Sequence, residues 1–371
     1  MDIETFALER NQSLWENHVA CNLTESGLHP FSLADVLSTD ELAALARLPL
    51  GYGHTEGDPE LRARIAALYP GRRADDVIVT NGSAEANYLA TWTLLRPGDE
   101  IVYMLPNYLQ IHGIARSLGA TVVPWRLQEE RNWAPSLDAL EQLVSPRTRA
   151  IVVCNPSNPT GAVLADADQR RVAAIAARVG CVVHSDEIYR GSELGEQREG
   201  TSFAAHYERT LVTSGLSKAL GFPGLRIGWI VGPSEVVAEC RRRHDYTSIS
   251  TNLVGQFAAT RILAPGMRER LLARGREHLR ANLATLTRWL ARYGDKLRLV
   301  PPSAGGMAFI GYGWPVNSTA LATRLREEAG VFVVAGDWFG MDGYLRIGIG
   351  VEERTLRDGL ARMDRVLTTL G

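Results

Sequence analysis

The sequence predicts an α/β protein: a large domain on a mostly parallel sheet with helices on both faces, and a smaller α+β domain after it. Three observations carry this. From about residue 77, short apolar runs alternate with helix-length segments, the pattern of parallel strands joined by crossover helices. The 371 residues, 45% hydrophobic and 22% charged, suffice for one large core and a second domain. Pro265-Gly266 then breaks the alternation ahead of a long Arg/Glu-rich helical stretch.

In chain order, the first 40 residues fit neither half and are expected to form an arm plus part of the small domain. Residues 41–265 form the large domain, opening with a helix over Glu41 to Leu48. Its strands are expected at Val77–Val79, Ile101–Met104, Thr121–Val123, Ile151–Cys154, Cys181–Val183, Leu211–Thr213 and Ile227–Val231. Helical periods over Ala84–Leu95, Asn107–Leu118, Ser136–Leu143 and Asp166–Val179 supply the crossovers, and ligands then belong at the carboxyl ends of the strands. Residues 266–371 are a connector helix, from Met267 to about Tyr293, and the small domain; the charged faces predict a connector rather than a packed core helix. The small domain is read as strands Leu297–Val300, Met307–Ile310, Val331–Val334 and Tyr344–Ile349, a helix over Ser318–Glu328 and a last helix from Glu352.

Composition narrows the partners. The formal charge is -2, and Arg241-Arg242-Arg243 is the sole run of basic residues, so no nucleic acid is expected. No apolar run approaches the roughly 20 residues that span a bilayer, and Met1-Asp-Ile-Glu-Thr-Phe6 has no basic, then apolar, leader pattern. A cytoplasmic protein acting on small molecules, without membrane attachment, is the expectation. Cys21, Cys154, Cys181 and Cys240 show no C-x-x-C spacing and read as free buried thiols, with no metal site.

The chemistry concentrates after the apolar runs. Thr213 to Trp229 sets Lys218 in a loop of small residues, with Ser217, Ala219 and Gly221 beside it and Arg226 eight positions on. A lysine held away from a solvated helix face can shed its proton and form an imine. Asn81-Gly82-Ser83-Ala84 turns a strand into a helix, so the N–H groups of Ser83 and Ala84 make an anion site; alone, the same residues are equally an ordinary serine cap. Asp186 ends an apolar strand with Tyr189 three residues on, and Asn155-Pro-Ser-Asn158-Pro forms an irregular turn after another. Gly51-x-Gly53-x-x-x-Gly57 is not a dinucleotide fingerprint, since its spacing is wrong and a helix, not a strand, precedes it.

In Asn158-Pro-Thr-Gly161, Asp186-x-x-Tyr189, Ser217-Lys218 and Arg226-Ile-Gly228, in that order, the chain resembles the fold-type I pyridoxal-phosphate enzymes, specifically the class I/II aminotransferases, over nearly its whole length. The resemblance implies pyridoxal 5'-phosphate as cofactor, an L-amino acid and a 2-oxo acid as substrates, and a homodimer with shared active sites. By it, Lys218 is the Schiff-base lysine, Asp186 the partner of the ring nitrogen, Asn158 and Tyr189 the pair on the ring's 3-oxygen, and Tyr108 the aromatic stacked on the ring. Ser83, Ala84 and Arg226 hold the phosphate, joined by Tyr52 of the neighbouring subunit. Arg346 grips the substrate carboxylate, with Gly27 near it. The pattern departs at Gly215, where many members carry a hydroxyl residue for the phosphate; Ser214 or Ser217 is left as the substitute. No arginine matches the one that binds a distal carboxylate in the acidic-substrate members. Leu14-Trp-Glu16, Ser26-Gly-Leu-His29-Pro and His244 to Ser250 resemble capreomycidine synthases and pyridoxal-phosphate arginine oxidases. That similarity implies Glu16 and His29 near the substrate side chain; the alternative is that both are solvated. The function implied is an aminotransferase, the alternative a cyclase, lyase or oxidase of arginine-like substrates.

Overall fold

The computed structural model describes residues 2–196 and 199–370. The chain begins with α1 (Ala7–Trp15), the short strand β1 (Cys21–Asn22), α2 (Thr39–Ala46) and α3 (Pro59–Ala66). The large sheet follows as β2 (Val77–Thr80), β3 (Glu100–Leu105), β4 (Thr121–Arg126), β5 (Thr148–Cys154), β6 (Val182–Asp186), β7 (Thr210–Gly215) and β8 (Gly228–Val231). Between them lie α4 (Ser83–Leu94), α5 (Gln110–Ser117), α6 (Leu137–Leu143) and α7 (Asp166–Val179). The strand order is β2-β8-β7-β6-β5-β3-β4, and only β8 runs antiparallel to its neighbours.

Burial on both faces explains why the central strands are unbroken apolar runs. Ile78, Leu211 and Ile230 pack under α4 and the following α8 (Ser234–His244), and Ile101 and Tyr103 under α5. The opposite face carries α3 and α9 (Leu253–Ile262) over Val77, Val79, Val212 and Val231, and α7 over Ile151, Val153 and Val183. The result is an α/β fold with a mostly parallel sheet between helical layers.

The segment expected to be a connector, α10 (Met267–Leu290), is a core helix. It buries Leu271, Leu272, Leu279, Leu286, Trp289 and Leu290, and a Cβ on Gly275 would lie 2.5 Å from Leu28 of the N-terminal arm. Its arginines disguised this in the sequence: Arg268 forks onto Glu199 at 2.6 and 2.8 Å, and Arg276 donates to the Gly191 carbonyl at 2.9 Å. Paired in this way, a guanidinium can be buried without an unmet charge.

The second sheet has the order β12-β13-β10-β9, from β9 (Leu297–Leu299), β10 (Met307–Tyr312), β12 (Val334–Ala335) and β13 (Tyr344–Gly348). The single strand expected over Val331–Val334 is two, because β11 (Val331–Phe332) pairs instead with β1 of the arm. Two helices, α11 (Ser318–Ala329) and α12 (Glu353–Leu367), cover this sheet. All four cysteines are free and buried, and no helix among the described residues is long and apolar enough to cross a membrane.

Candidate active site

Parallel strands end at one edge, and the chemistry collects there. Cys154, Asp186 and Thr213 are register partners across β5, β6 and β7, so the loops after these strands start side by side. Lys218, Asp186, Tyr189, Asn158, Tyr108, Ser83 and Ala84 line one cleft at this edge, closed from the other side by Arg346 of β13 and by Leu8, Glu9 and Gln12 of α1. Segments from both sheets and from the arm therefore build a single site.

Lys218 Nζ donates to Glu25 Oε1 at 2.5 Å. Burial pushes the Glu25 carboxyl up, but the Lys218 ammonium and the Gly27 N–H outweigh it and hold the group at about 2. Gly27 is wedged against the lysine: an added Cβ would sit 3.1 Å from Lys218 Cα and from its Cδ. Asp186 is buried, which raises its carboxyl, while the Asn87 side-chain amide (3.0 Å) and the Ile188 N–H (3.1 Å) pull the other way. The Tyr189 hydroxyl meets Ser26 Oγ at 2.8 Å, and burial raises its phenol.

Arg346, 2% exposed, donates from Nη1 to Asn158 Oδ1 at 2.8 Å and from Nη2 to the Thr24 carbonyl at 2.6 Å. Its buried Nε has no hydrogen-bond partner among the described residues. A buried guanidinium N–H left unpaired is costly, so an acceptor at that position is favoured, and a carboxylate oxygen suits the planar fork.

The anion cradle is shaped by close backbone approach. A Cβ on Gly228 would lie 2.3 Å from the Gly82 carbonyl carbon and 2.4 Å from Ser83 N, so β8 abuts the start of α4. Gly82 (φ 83) turns the chain into that helix, and Arg226, itself left-handed (φ 53), packs its guanidinium on Gly82. At Gly215 a Cβ would stand 2.8 Å from the Ile227 carbonyl oxygen, which leaves no room for a hydroxyl residue. Ser214 spends its hydroxyl on the Glu187 carbonyl at 3.1 Å, while Ser217 is buried beside the lysine.

Three expected residues lie apart from this set. Tyr52 is 88% exposed in the loop after α2. His29 does not line the cleft: its backbone N–H is tied to the Gly350 carbonyl, and its side chain, 54% exposed, stands 3.4 Å from Glu352. Glu16, at the end of α1, does not line the cleft but feels it; burial raises its carboxyl first, then the charges of Glu25 and Glu9, against Lys218. Sequence reasoning missed Glu25, Glu9 and Asn87. Glu25 and Glu9 left no signal, being isolated acids in an arm. Asn87 did, since it stands one helical turn after Ser83 on α4.

A molecule bearing a phosphate, a carbonyl for an amine and a ring nitrogen would meet the α4 N-terminus with Arg226, Lys218 and Asp186 respectively, so the residues present fit pyridoxal 5'-phosphate. Comparison with known proteins agrees. The family model for aminotransferase class I and II matches residues 27–363. The capreomycidine synthase of Streptomyces vinaceus is 32% identical over 94% of this chain and 90% of that protein. The aspartate/prephenate aminotransferase of Thermus thermophilus is 29% identical over 87% and 85%. A solved pyridoxal-phosphate-dependent aminotransferase from Streptococcus suis superposes with a TM-score of 0.94 at 30% identity, covering 100% of this chain and 99% of that one.

Proposed function

Since the chain belongs to the class I and II aminotransferase family, whose cofactor is pyridoxal 5'-phosphate, we propose that it transfers an amino group from an L-amino acid to a 2-oxo acid, in the cytoplasm and as a homodimer. The observation that carries this is the meeting of Lys218, Asp186 and the unpartnered Arg346 Nε in one cleft.

The residues divide the work. Arg346 takes the substrate carboxylate through Nε and a neighbouring N–H and so sets which bond at the α-carbon faces Lys218. Bound in the cleft, the cofactor supplies an electron sink for the charge left when the α-proton departs. Asp186 holds a proton at the ring nitrogen, and Asn158 and Tyr189 hold the ring's 3-oxygen, with Ser26 fixing the phenol. Lys218 Nζ would take the α-proton and return it to the carbon of the cofactor's aldehyde group. Ser83, Ala84, Arg226 and Ser217 hold the phosphate, and Tyr52 of the second subunit completes that contact. Leu8 and Tyr108 cover the site from water.

Mixing stoichiometric enzyme with a panel of amino acids in a single turnover tests the reading. Conversion of the cofactor to pyridoxamine phosphate, with one equivalent of 2-oxo acid released, is expected. Amino acid consumed with the cofactor recovered in its aldehyde form, and the side chain cyclised, cleaved or oxidised, would instead favour the second reading, an enzyme of arginine-like substrates. That alternative is supported by the similarity to capreomycidine synthase and by three carboxylates, Glu9, Glu16 and Glu25, around Lys218.

A further inference from the structure

Behind Asp186 lies a chain of buried side chains that the chemistry above does not use. Asn87 of α4 is 2% exposed, Thr213 of β7 fully buried and His184 of β6 1% exposed. Asn87 Nδ2 donates to Asp186 Oδ2 at 3.0 Å and lies 3.3 Å from Gln110 Oε1. Thr213 Oγ1 donates to Asn87 Oδ1 at 2.6 Å, and His184 Nε2 stands 3.3 Å from the same hydroxyl.

We infer that Asn87, oriented by Thr213 and His184, is the positioning residue that keeps Asp186 aimed at the cofactor's ring nitrogen and in its charged form. An amide can present either its N–H or its oxygen to a neighbour, and only the N–H supports a carboxylate. Here the Gln110 end fixes the choice and the Thr213 end agrees with it. A threonine hydroxyl has one hydrogen; given to Asn87 Oδ1, it leaves the oxygen to accept from His184 with that ring's proton on Nε2. Burial lowers the His184 imidazole to about 4, so the ring is neutral and has one such proton to give. On the other side, Gln110 Nε2 is committed to the Ala84 carbonyl at 2.9 Å, which turns Gln110 Oε1 toward Asn87. Turning the Asn87 amide over would set its oxygen against both Asp186 and Gln110 Oε1. Burial raises the Asp186 carboxyl and the bond from Asn87 opposes that rise; a neutral carboxyl cannot hold a proton on the ring nitrogen.

The inference rests on cofactor use and not on which reaction follows, so it is tested apart from turnover. Load the enzyme with cofactor labelled at the ring nitrogen and record its solid-state ¹⁵N resonance in wild type, Thr213→Val, Thr213→Ser and Asn87→Ala, with the cofactor dissociation constant and Tm of each. Valine keeps the threonine's shape and loses the hydroxyl; serine keeps the hydroxyl and loses a methyl. The expected result is a protonated nitrogen in wild type and Thr213→Ser, a shift toward the unprotonated position in Thr213→Val and Asn87→Ala, and cofactor binding about tenfold weaker in those two, through the weakened or lost bond from Asn87 to the Asp186 carboxylate. Tm should fall in Thr213→Ser as well, which separates packing from positioning. A wild-type resonance in Thr213→Val or Asn87→Ala, an equal shift in Thr213→Ser, or an unprotonated wild-type nitrogen overturns the inference. If Thr213→Val does not fold, the Asn87→Ala resonance decides alone. Release of 2-oxo acid, measured separately, reads the transaminase proposal.

Discussion

Replacing Glu25 by glutamine removes the negative charge beside Lys218 and keeps the shape of the side chain. In the cofactor-free protein the carboxyl lies at about 2 against an ordinary 4.5, because the Lys218 ammonium and the Gly27 N–H outweigh the cost of burial. That gap corresponds to roughly 3 kcal/mol. With the side chain 35% exposed, screening by water leaves about 1–2 kcal/mol. The sign follows from the direction: a carboxylate held low when folded contributes in full above the unfolded value of 4.5, and its contribution is lost as pH falls toward 2. Cofactor-free Glu25→Gln should therefore be less stable than wild type by about 1–2 kcal/mol in urea at pH 7 and closer to it at pH 3. The same charge should govern substrate choice. If a cationic side chain meets Glu25, the substitution removes a charge-assisted contact worth about 1.5–3 kcal/mol, so kcat/KM for arginine falls roughly ten- to a hundredfold while that for glutamate does not. Steady-state kinetics on both substrates, with Glu16→Gln in parallel, give the ratio. Wild type preferring glutamate, or an unchanged ratio in both variants, would refute the case for a basic substrate; an unchanged urea difference between pH 7 and pH 3 would refute the ion-pair account.

Four further outcomes are expected. Lys218→Ala should bind pyridoxal phosphate yet leave none attached after borohydride reduction, measured by intact mass; covalent label on the variant would move the imine elsewhere. Gly228→Ala, whose Cβ would lie 2.3 Å from the Gly82 carbonyl carbon with only backbone to yield, should lose about 3 kcal/mol or fail to retain cofactor; a stable, loaded variant would deny the tight cradle. Mixed Tyr52→Phe and Lys218→Ala chains should form hybrids with one site free of both changes, and activity no greater than the two parents would argue against a shared site. Glu85, whose carboxyl the bonds from His244, Thr247, Asn81 N–H and Ser248 hold at about 2 despite burial, should contribute about 3 kcal/mol that is complete above pH 4.5 and lost toward pH 2. Glu85→Gln should flatten that part of the stability curve in acid unfolding.

Much of the site was legible because its residues are tied by covalent adjacency to strands. Asp186, Gly82-Ser83, Asn158 and Lys218 each follow an apolar run within a few residues, and parallel strands must end together, so their convergence needed no coordinates. Where charge density stood in for environment, the sequence misled. In α10 the arginines looked like solvent faces, yet Arg268 and Arg276 are buried on partners 69 and 85 residues away. In the arm, resemblance implied both Glu16 and His29 near the substrate side chain, but a backbone bond to Gly350 holds His29 at the surface while Glu16 stays within the field of the lysine.

By itself, then, the sequence determined the α/β class and the strand edge where Lys218, Asp186 and the Gly82-Ser83 turn gather, all features decided by residues near one another along the chain. Tertiary structure alone decided the contacts that set how those groups behave. Glu25 reaches Lys218 across 193 residues, Asn87 reaches Asp186 across 99, and Arg346 reaches Asn158 across 188. The direction of an amide, the charge on a buried carboxyl and the pairing of an arginine's N–H groups depend on which distant groups share their volume. No local pattern encodes that, because a hydrogen bond is set by distance and angle in space and not by separation along the backbone.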